Sequence, residues 1–231
     1  MKVNGIDARK YNAKQLTVEV LPPSMSNDYE IITGAVLPIE FDTDMELGTL
    51  KITMYFRGKD RNNLIRNMSM FMQNFTKSCD LELDGYRGKF RAYITKDSYT
   101  KMQVKNRYQL DMEFRGYFYD DEIALIYDGK TETTVTKVGS RKSPVTVEVY
   151  AKSALNNYTI KGFAEDITVK KLAAGKTVII NGEDGTVSMD GTNAIEKVDL
   201  WEFPRMEEEE TRLTFTNANA KVTIRYRPMW I

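Results

Sequence analysis

Residues 175–231 read GKTVIINGEDGTVSMDGTNAIEKVDLWEFPRMEEEETRLTFTNANAKVTIRYRPMWI, and this stretch decides the fold. Asn181-Gly182, Asp184-Gly185 and Asp190-Gly191 punctuate it, and such dipeptides supply the positive φ angles that tight hairpin turns need. Between them run short segments in which apolar and polar residues alternate. In the last, Val222, Ile224 and Tyr226 point one way while Thr223, Arg225 and Arg227 point the other, the period-two pattern of a strand with one buried face. Pro228, which has no N–H to donate, ends the ladder. The stretch is antiparallel β.

Extending the pattern backwards to Pro144 gives eight short strands, at 145–150, 157–163, 166–172, 177–181, 186–190, 198–203, 212–216 and 221–227. Strands this short, evenly spaced and separated by turn signals predict a two-sheet β-sandwich or a small barrel. Ahead of them, DGKTETTVTKVGSRKS at 128–143 is small and polar, the composition of an interdomain linker, although 133–137 could form an edge strand. We therefore expect a first domain over 1–140 and a second over 141–231.

The first domain reads as β-rich with one helix. Strands are expected at 2–6, 15–20 and 48–57, the last alternating Leu50, Ile52, Met54 and Phe56 with polar residues. Residues 31–46 read as a long irregular connection with a short strand around 37–41. After Asp60, a plausible N-cap, the period changes. Leu64, Ile65, Met68, Phe71, Met72 and Phe75 form one apolar stripe of a helix over 61–75, expected to pack on a sheet. A hairpin around Asp84-Gly85 leads into a strand through Ile94, and a further strand covers 107–118.

Composition narrows the function classes. The 33 basic and 33 acidic residues cancel, which argues against a dedicated nucleic-acid binder, whose affinity needs a basic surplus. Histidine is absent, removing the commonest general base and the commonest metal ligand, and the single Cys79 can form neither an intrachain disulfide nor a cysteine-built metal site. No apolar run approaches the roughly 18 residues of a membrane span, and MKVNGIDARKY lacks a leader's apolar core, so we expect a protein made in the cytoplasm with no membrane insertion. No catalytic, cofactor or metal residues are expected. The Asp-Gly turns invite a calcium reading, but turn chemistry explains them without an ion. Gly175-Lys176-Thr177 lacks the earlier glycine of a phosphate loop and enters a strand.

Two features remain as a surface for a partner or a saccharide: Trp201 with Phe203, and the acidic run Glu207, Glu208, Glu209 and Glu210. A tryptophan at a sheet corner is more often buried than exposed, and burial is the expectation here; an exposed indole would instead stack on the apolar face of a sugar. The acidic run reads as a charged loop or as a contact for a basic partner.

The order of these motifs, from the strand entering NGEDGTV through the G-T-N loop, the WEFP corner and the TRLTF strand at 211–215 to the closing YRPMW, resembles the C-terminal domain of phage distal tail proteins. The order strand, strand, strand, helix, hairpin, strand ahead of it is similar to the ring-forming, tail-tube-like domain of the same family. The resemblance implies a β protein whose second domain is a galectin-like or carbohydrate-binding-module-like sandwich. It further implies a homo-oligomeric ring, a hexamer, at the virion tail tip, assembled in the host cytoplasm. Its implied partners are the tail tube protein, the tail-associated fibre or lysin protein, the tape-measure protein in the channel, and a receptor-binding protein or host cell-wall glycan; DNA passes through without specific binding. The alternative is a carbohydrate-binding module attached to an unrelated β domain.

Overall fold

Asn4 and Gly5, both at positive φ (50° and 77°), turn what reads as one strand at 2–6 into a hairpin of β1 (Lys2–Val3) and β2 (Ile6–Asp7). In this computed structural model, residues 1–26, 29, 30, 32, 33, 37, 39, 40 and 44–230 are described. The chain is mainly β, as expected, and divides into two units, residues 1–119 and 120–230.

In the first unit β3 (Ala13–Leu21) pairs antiparallel with β8 (Gly48–Arg57). The described residues of the connection between them include two short strand pairs. β4 (Met25–Ser26) pairs β7 (Asp44–Met45), and β5 (Tyr29–Glu30) pairs β6 (Ile39–Glu40). The expected strand around 37–41 is present at 39–40, while residues 38 and 41 lie outside the described residues.

α1 (Arg61–Met72) begins where the sequence places it: the Asp60 carboxylate accepts a 2.8 Å hydrogen bond from the Asn63 backbone N–H, satisfying one of the orphan donors of the first turn. A 3-10 turn, Gln73–Phe75, extends it. Leu64, Met68, Phe71 and Phe75 are buried, and Phe71 meets Tyr11, Phe56 and Phe75 edge-on at centroid distances of 5.7, 5.3 and 5.1 Å. Such contacts add roughly 0.5–1.5 kcal/mol each beyond area burial. Ile65 departs from the expected stripe, being 54% exposed.

β9 (Cys79–Glu82), β10 (Lys89–Lys101) and β11 (Arg107–Tyr119) complete this sheet, whose order is β2-β1-β9-β10-β11-β8-β3. β10 runs past the expected end at Ile94, because a bulge between Ile94 and Lys96 realigns its ladder with β11. Gly116 sits where the strands press closest: a Cβ there would lie 1.9 Å from the Arg91 carbonyl oxygen.

The second unit corrects the expected boundary. β12 (Ile123–Asp128) pairs β23 (Ala220–Tyr226), and β13 (Glu132–Thr136) pairs β22 (Glu210–Phe215). Residues 123–127, expected in the first domain, and residues 132–136, from the expected linker in which an edge strand at 133–137 was allowed, thus supply strands to the sandwich. Its first sheet runs β12-β23-β14-β17-β18-β19, with β14 (Ser143–Ala151), β17 (Thr177–Asn181), β18 (Thr186–Met189) and β19 (Thr192–Asn193). The second runs β13-β22-β15-β16-β20, with β15 (Leu155–Lys161), β16 (Ile167–Leu172) and β20 (Val198–Asp199). Val147, Val149, Ile180, Val222 and Ile224 from one sheet meet Tyr158, Ile160, Val169 and Leu213 from the other in a single core. The expected strand at 198–203 stops at Asp199; the chain leaves the sheet and returns as β21 (Arg205–Met206), paired with the start of β14.

Candidate partner-binding surface

The break between β20 and β21 makes the site. Pro204 is buried, and its carbonyl accepts a 2.9 Å hydrogen bond from the Val145 N–H. Gly182 passes so close beneath that a Cβ there would stand 2.2 Å from the Pro204 oxygen and 2.7 Å from the Val145 oxygen. The close approach, not turn conformation, demands glycine at 182. Phe203 packs against the sandwich core and within reach of Gly185. Trp201 does the opposite of what its sequence position suggests: it is 87% exposed. With Phe203 and Pro204 filling the corner, no core space is left for the indole.

Arg205 connects this loop to the acidic run. Its guanidinium lies 2.7 Å from Glu202 on one side and 2.7 Å from Glu207 on the other, and Lys142 approaches Glu207 at 3.4 Å. The hydrogen bond from Arg205 holds the Glu207 carboxyl below its ordinary value, and the same bond raises Arg205. Lys137 pins the run from behind. Its N–H donates to the Glu209 carbonyl at 2.7 Å, and its buried ammonium donates to the Arg141 and Glu207 carbonyls at 2.9 and 3.2 Å. Burial pushes the Lys137 pKa down. Glu207 is therefore tied into the sandwich, whereas Glu208, Glu209 and Glu210 are exposed and, among the described residues, have no ion-pair partner. The four acidic residues thus differ in pairing and exposure, a difference that the sequence could not show.

Sequence reasoning missed a second surface. On the five-stranded sheet, a groove of about 750 Å³ is lined by Asn157, Thr168, Lys170, Lys171, Lys197 and two acidic side chains, Glu196 and Asp199. Asn157 has a φ of 48°, where asparagine is tolerated better than most residues. No periodic signal marks such a groove, because its side chains come from three separate segments. The Asp-Gly turns behave as turns: Thr186 donates to Asp184 at 2.7 Å, Asp190 pairs with Lys176 at 2.8 Å, and Gly185, Asp190 and Gly191 all have positive φ.

In the first unit, the sheet face lined by Thr17, Glu19, Lys51, Thr53, Lys96, Asp97, Asp111 and Glu113 bounds an open groove of about 620 Å³. Its charges are mostly satisfied within the face: Glu19 with Lys51 at 3.5 Å, Glu113 with Lys96 at 3.9 Å, and Asp111 accepting from Thr53 at 2.7 Å and from Gln109 at 3.0 Å. A face so paired presents polar groups without a strong field of either sign.

Residues 138–230 match the family described as siphovirus-type tail component, C-terminal domain. No curated protein matches the sequence. The fold is similar to the crystal structure of the SPP1 Dit protein, described as a paradigm of the hub adsorption apparatus in phages infecting Gram-positive bacteria. The TM-score is 0.74 at 11% identity, over 99% of this chain and 98% of that one. It is also similar to a chain of the phage P2 baseplate in its activated conformation with calcium (TM-score 0.54, 9% identity, 96% and 92% covered). The strontium-activated baseplate gives a TM-score of 0.51 at 8% identity, with 95% and 92% covered. The chain thus carries a siphovirus-type tail component C-terminal domain over residues 138–230, and the resemblance to phage distal tail proteins drawn from its ordered motifs is borne out.

Proposed function

We propose that this chain is a structural distal tail protein of a phage or prophage. It forms a ring hub, a hexamer, that joins the tail tube to the tip's fibre or lysin protein and to the receptor-binding apparatus. The observation that carries this reading is the match of residues 138–230 to a tail component domain. The first unit supplies a sheet able to form a ring around a channel, and its self-paired polar face suits a channel for tape-measure protein and DNA, which must pass without being held. The second unit, a sandwich of the galectin or carbohydrate-binding-module kind, presents a surface to a partner. The task is binding and placement rather than catalysis, and its location is the virion tail tip. Tails assembled in cells lacking only this chain are expected to have no joined tip apparatus. Complete, infective tails made without it would overturn the reading.

A second reading is favoured by one observation, the 87% exposure of Trp201: the sandwich contacts a host cell-wall saccharide through the indole. Titrating the full-length chain with purified cell-wall glycan should then quench tryptophan fluorescence, and Trp201→Ala should abolish the change. An unchanged titration in the variant would assign Trp201 to a protein partner or to solvent.

A further inference from the structure

We infer that a basic groove at one end of the first unit's sheet seats an acidic segment of a protein other than this chain, its carboxylates held by Arg57, Arg107 and Lys14. Such a contact can be tested in solution, apart from the hub reading.

Three segments meet at this end, where β3 begins at Ala13, β8 ends at Arg57 and β11 begins at Arg107. The backbone ties them together: the Arg57 N–H donates to the Asn12 carbonyl at 3.2 Å, and the Gly58 N–H donates to the Asn106 carbonyl at 3.1 Å. Asn12 and Asn106 both turn through left-handed φ, 53° and 57°. Gly58 lies so close to α1 that a Cβ there would stand 2.6 Å from the Leu64 Cβ. The groove of about 570 Å³ that results is held by backbone contacts, and a preformed site loses less on binding. Its charged lining is Arg9, Lys14, Arg57 and Lys59, all exposed, with no acidic side chain.

The strand register sets two of these cations against each other. Arg57 is the direct partner of Arg107 across β8 and β11, so both side chains leave the same face of the sheet. Like charges directly opposite in an antiparallel pair are destabilising. Among the described residues, no acidic side chain pairs with Arg57, Arg107, Lys14 or Lys59, and Arg9 reaches Asp7 only at 3.8 Å. The acidic residues next to these segments in sequence are engaged elsewhere: Asp7 accepts from the Arg9 N–H and Asp60 from the Asn63 N–H, both at 2.8 Å. The groove therefore keeps a local positive field in a chain whose total charge is zero. A carboxylate placed between the two guanidinium groups would replace their repulsion with charge-assisted hydrogen bonds.

Two features favour protein carboxylates over nucleic-acid phosphates. The one aromatic side chain in the lining, Tyr55, is half-buried with the Arg107 guanidinium over its ring at 5.9 Å, which leaves no open platform for a base to stack on. The cations are also confined to one compact site, and the chain has no basic surplus with which to follow a phosphate backbone.

The test titrates the full-length chain with a fluorescein-labelled oligoglutamate peptide and, separately, with a labelled single-stranded oligonucleotide of the same net charge. Wild type should bind the peptide more tightly than the oligonucleotide. Arg57→Gln and Lys14→Gln should each weaken peptide binding about tenfold, the worth of one charge-assisted hydrogen bond. Lys130→Gln, an equal change in net charge on the second unit, should bind as wild type does. Arg57→Gln should melt no lower than wild type, since it removes a repulsion; if it does melt lower, Lys14→Gln, which lies outside the facing pair, decides the matter. No peptide binding by wild type, unweakened binding by Lys14→Gln, an equal loss in Lys130→Gln, or preference for the oligonucleotide would each overturn the assignment. A wild-type oligomer that Arg57→Gln disperses in sedimentation would also overturn it, by giving the groove to a second copy. The hub reading stands or falls separately, on where the chain lies in the tail.

Discussion

At the scale of single residues, two glycines separate close packing from turn conformation. Gly182 has no room for a side chain, since a Cβ would press on the Pro204 and Val145 backbone oxygens at 2.2 and 2.7 Å. Gly175 has open space around it but a φ of 76°. Gly182→Ala is therefore expected to cost about 3 kcal/mol or more, the range for forcing volume into a packed site, and Gly175→Ala about 1 kcal/mol, the strain of left-handed backbone. Denaturant midpoints for the two variants check this, and equal losses would contradict the close approach beneath the 200–204 loop. The sequence showed both as turn glycines, since a dipeptide such as Asn181-Gly182 looks the same whether the need is for φ or for space. Trp201 was similarly illegible: Phe203 and Pro204 compete with it for one corner, and only packing decides which ring turns inward.

At the scale of elements, the boundary between the units gives the sharpest prediction. A fragment starting at residue 141 lacks β12 and β13, leaving β23 paired with β14 alone and β22 with β15 alone, and uncovering the sides of Ile224 and Leu213 that faced the lost strands. A fragment of residues 120–230 keeps both strands and should fold cooperatively, whereas 141–230 should melt far lower or remain unfolded by circular dichroism; equal melting would refute the boundary at 120. The signal was present in part, because Ile123, Leu125 and Tyr127 alternate with Ala124, Ile126 and Asp128. It was masked by the polar run after Asp128, where the glutamate and threonines of an edge strand have the composition of a linker. Elements with one clean apolar face were legible: β8 begins and ends at the expected residues, and α1 starts at its Asp60 cap. The far half of β10 was not, for a strand with both faces exposed has no alternation to read.

At the scale of the whole molecule, the chain joins two β units, carries no net charge and contains no histidine. Residues 138–230 match a siphovirus-type tail component domain, on which the proposed role as a tail-tip hub rests. The account's central claim is a position, one ring of this chain at the end of the tail tube. It is tested most directly by electron microscopy of assembled tails carrying an epitope tag on this chain, decorated with labelled antibody. The account predicts label confined to the tip, at the junction of tube and tip apparatus. Label distributed along the tube, or absent from the particle, would contradict it.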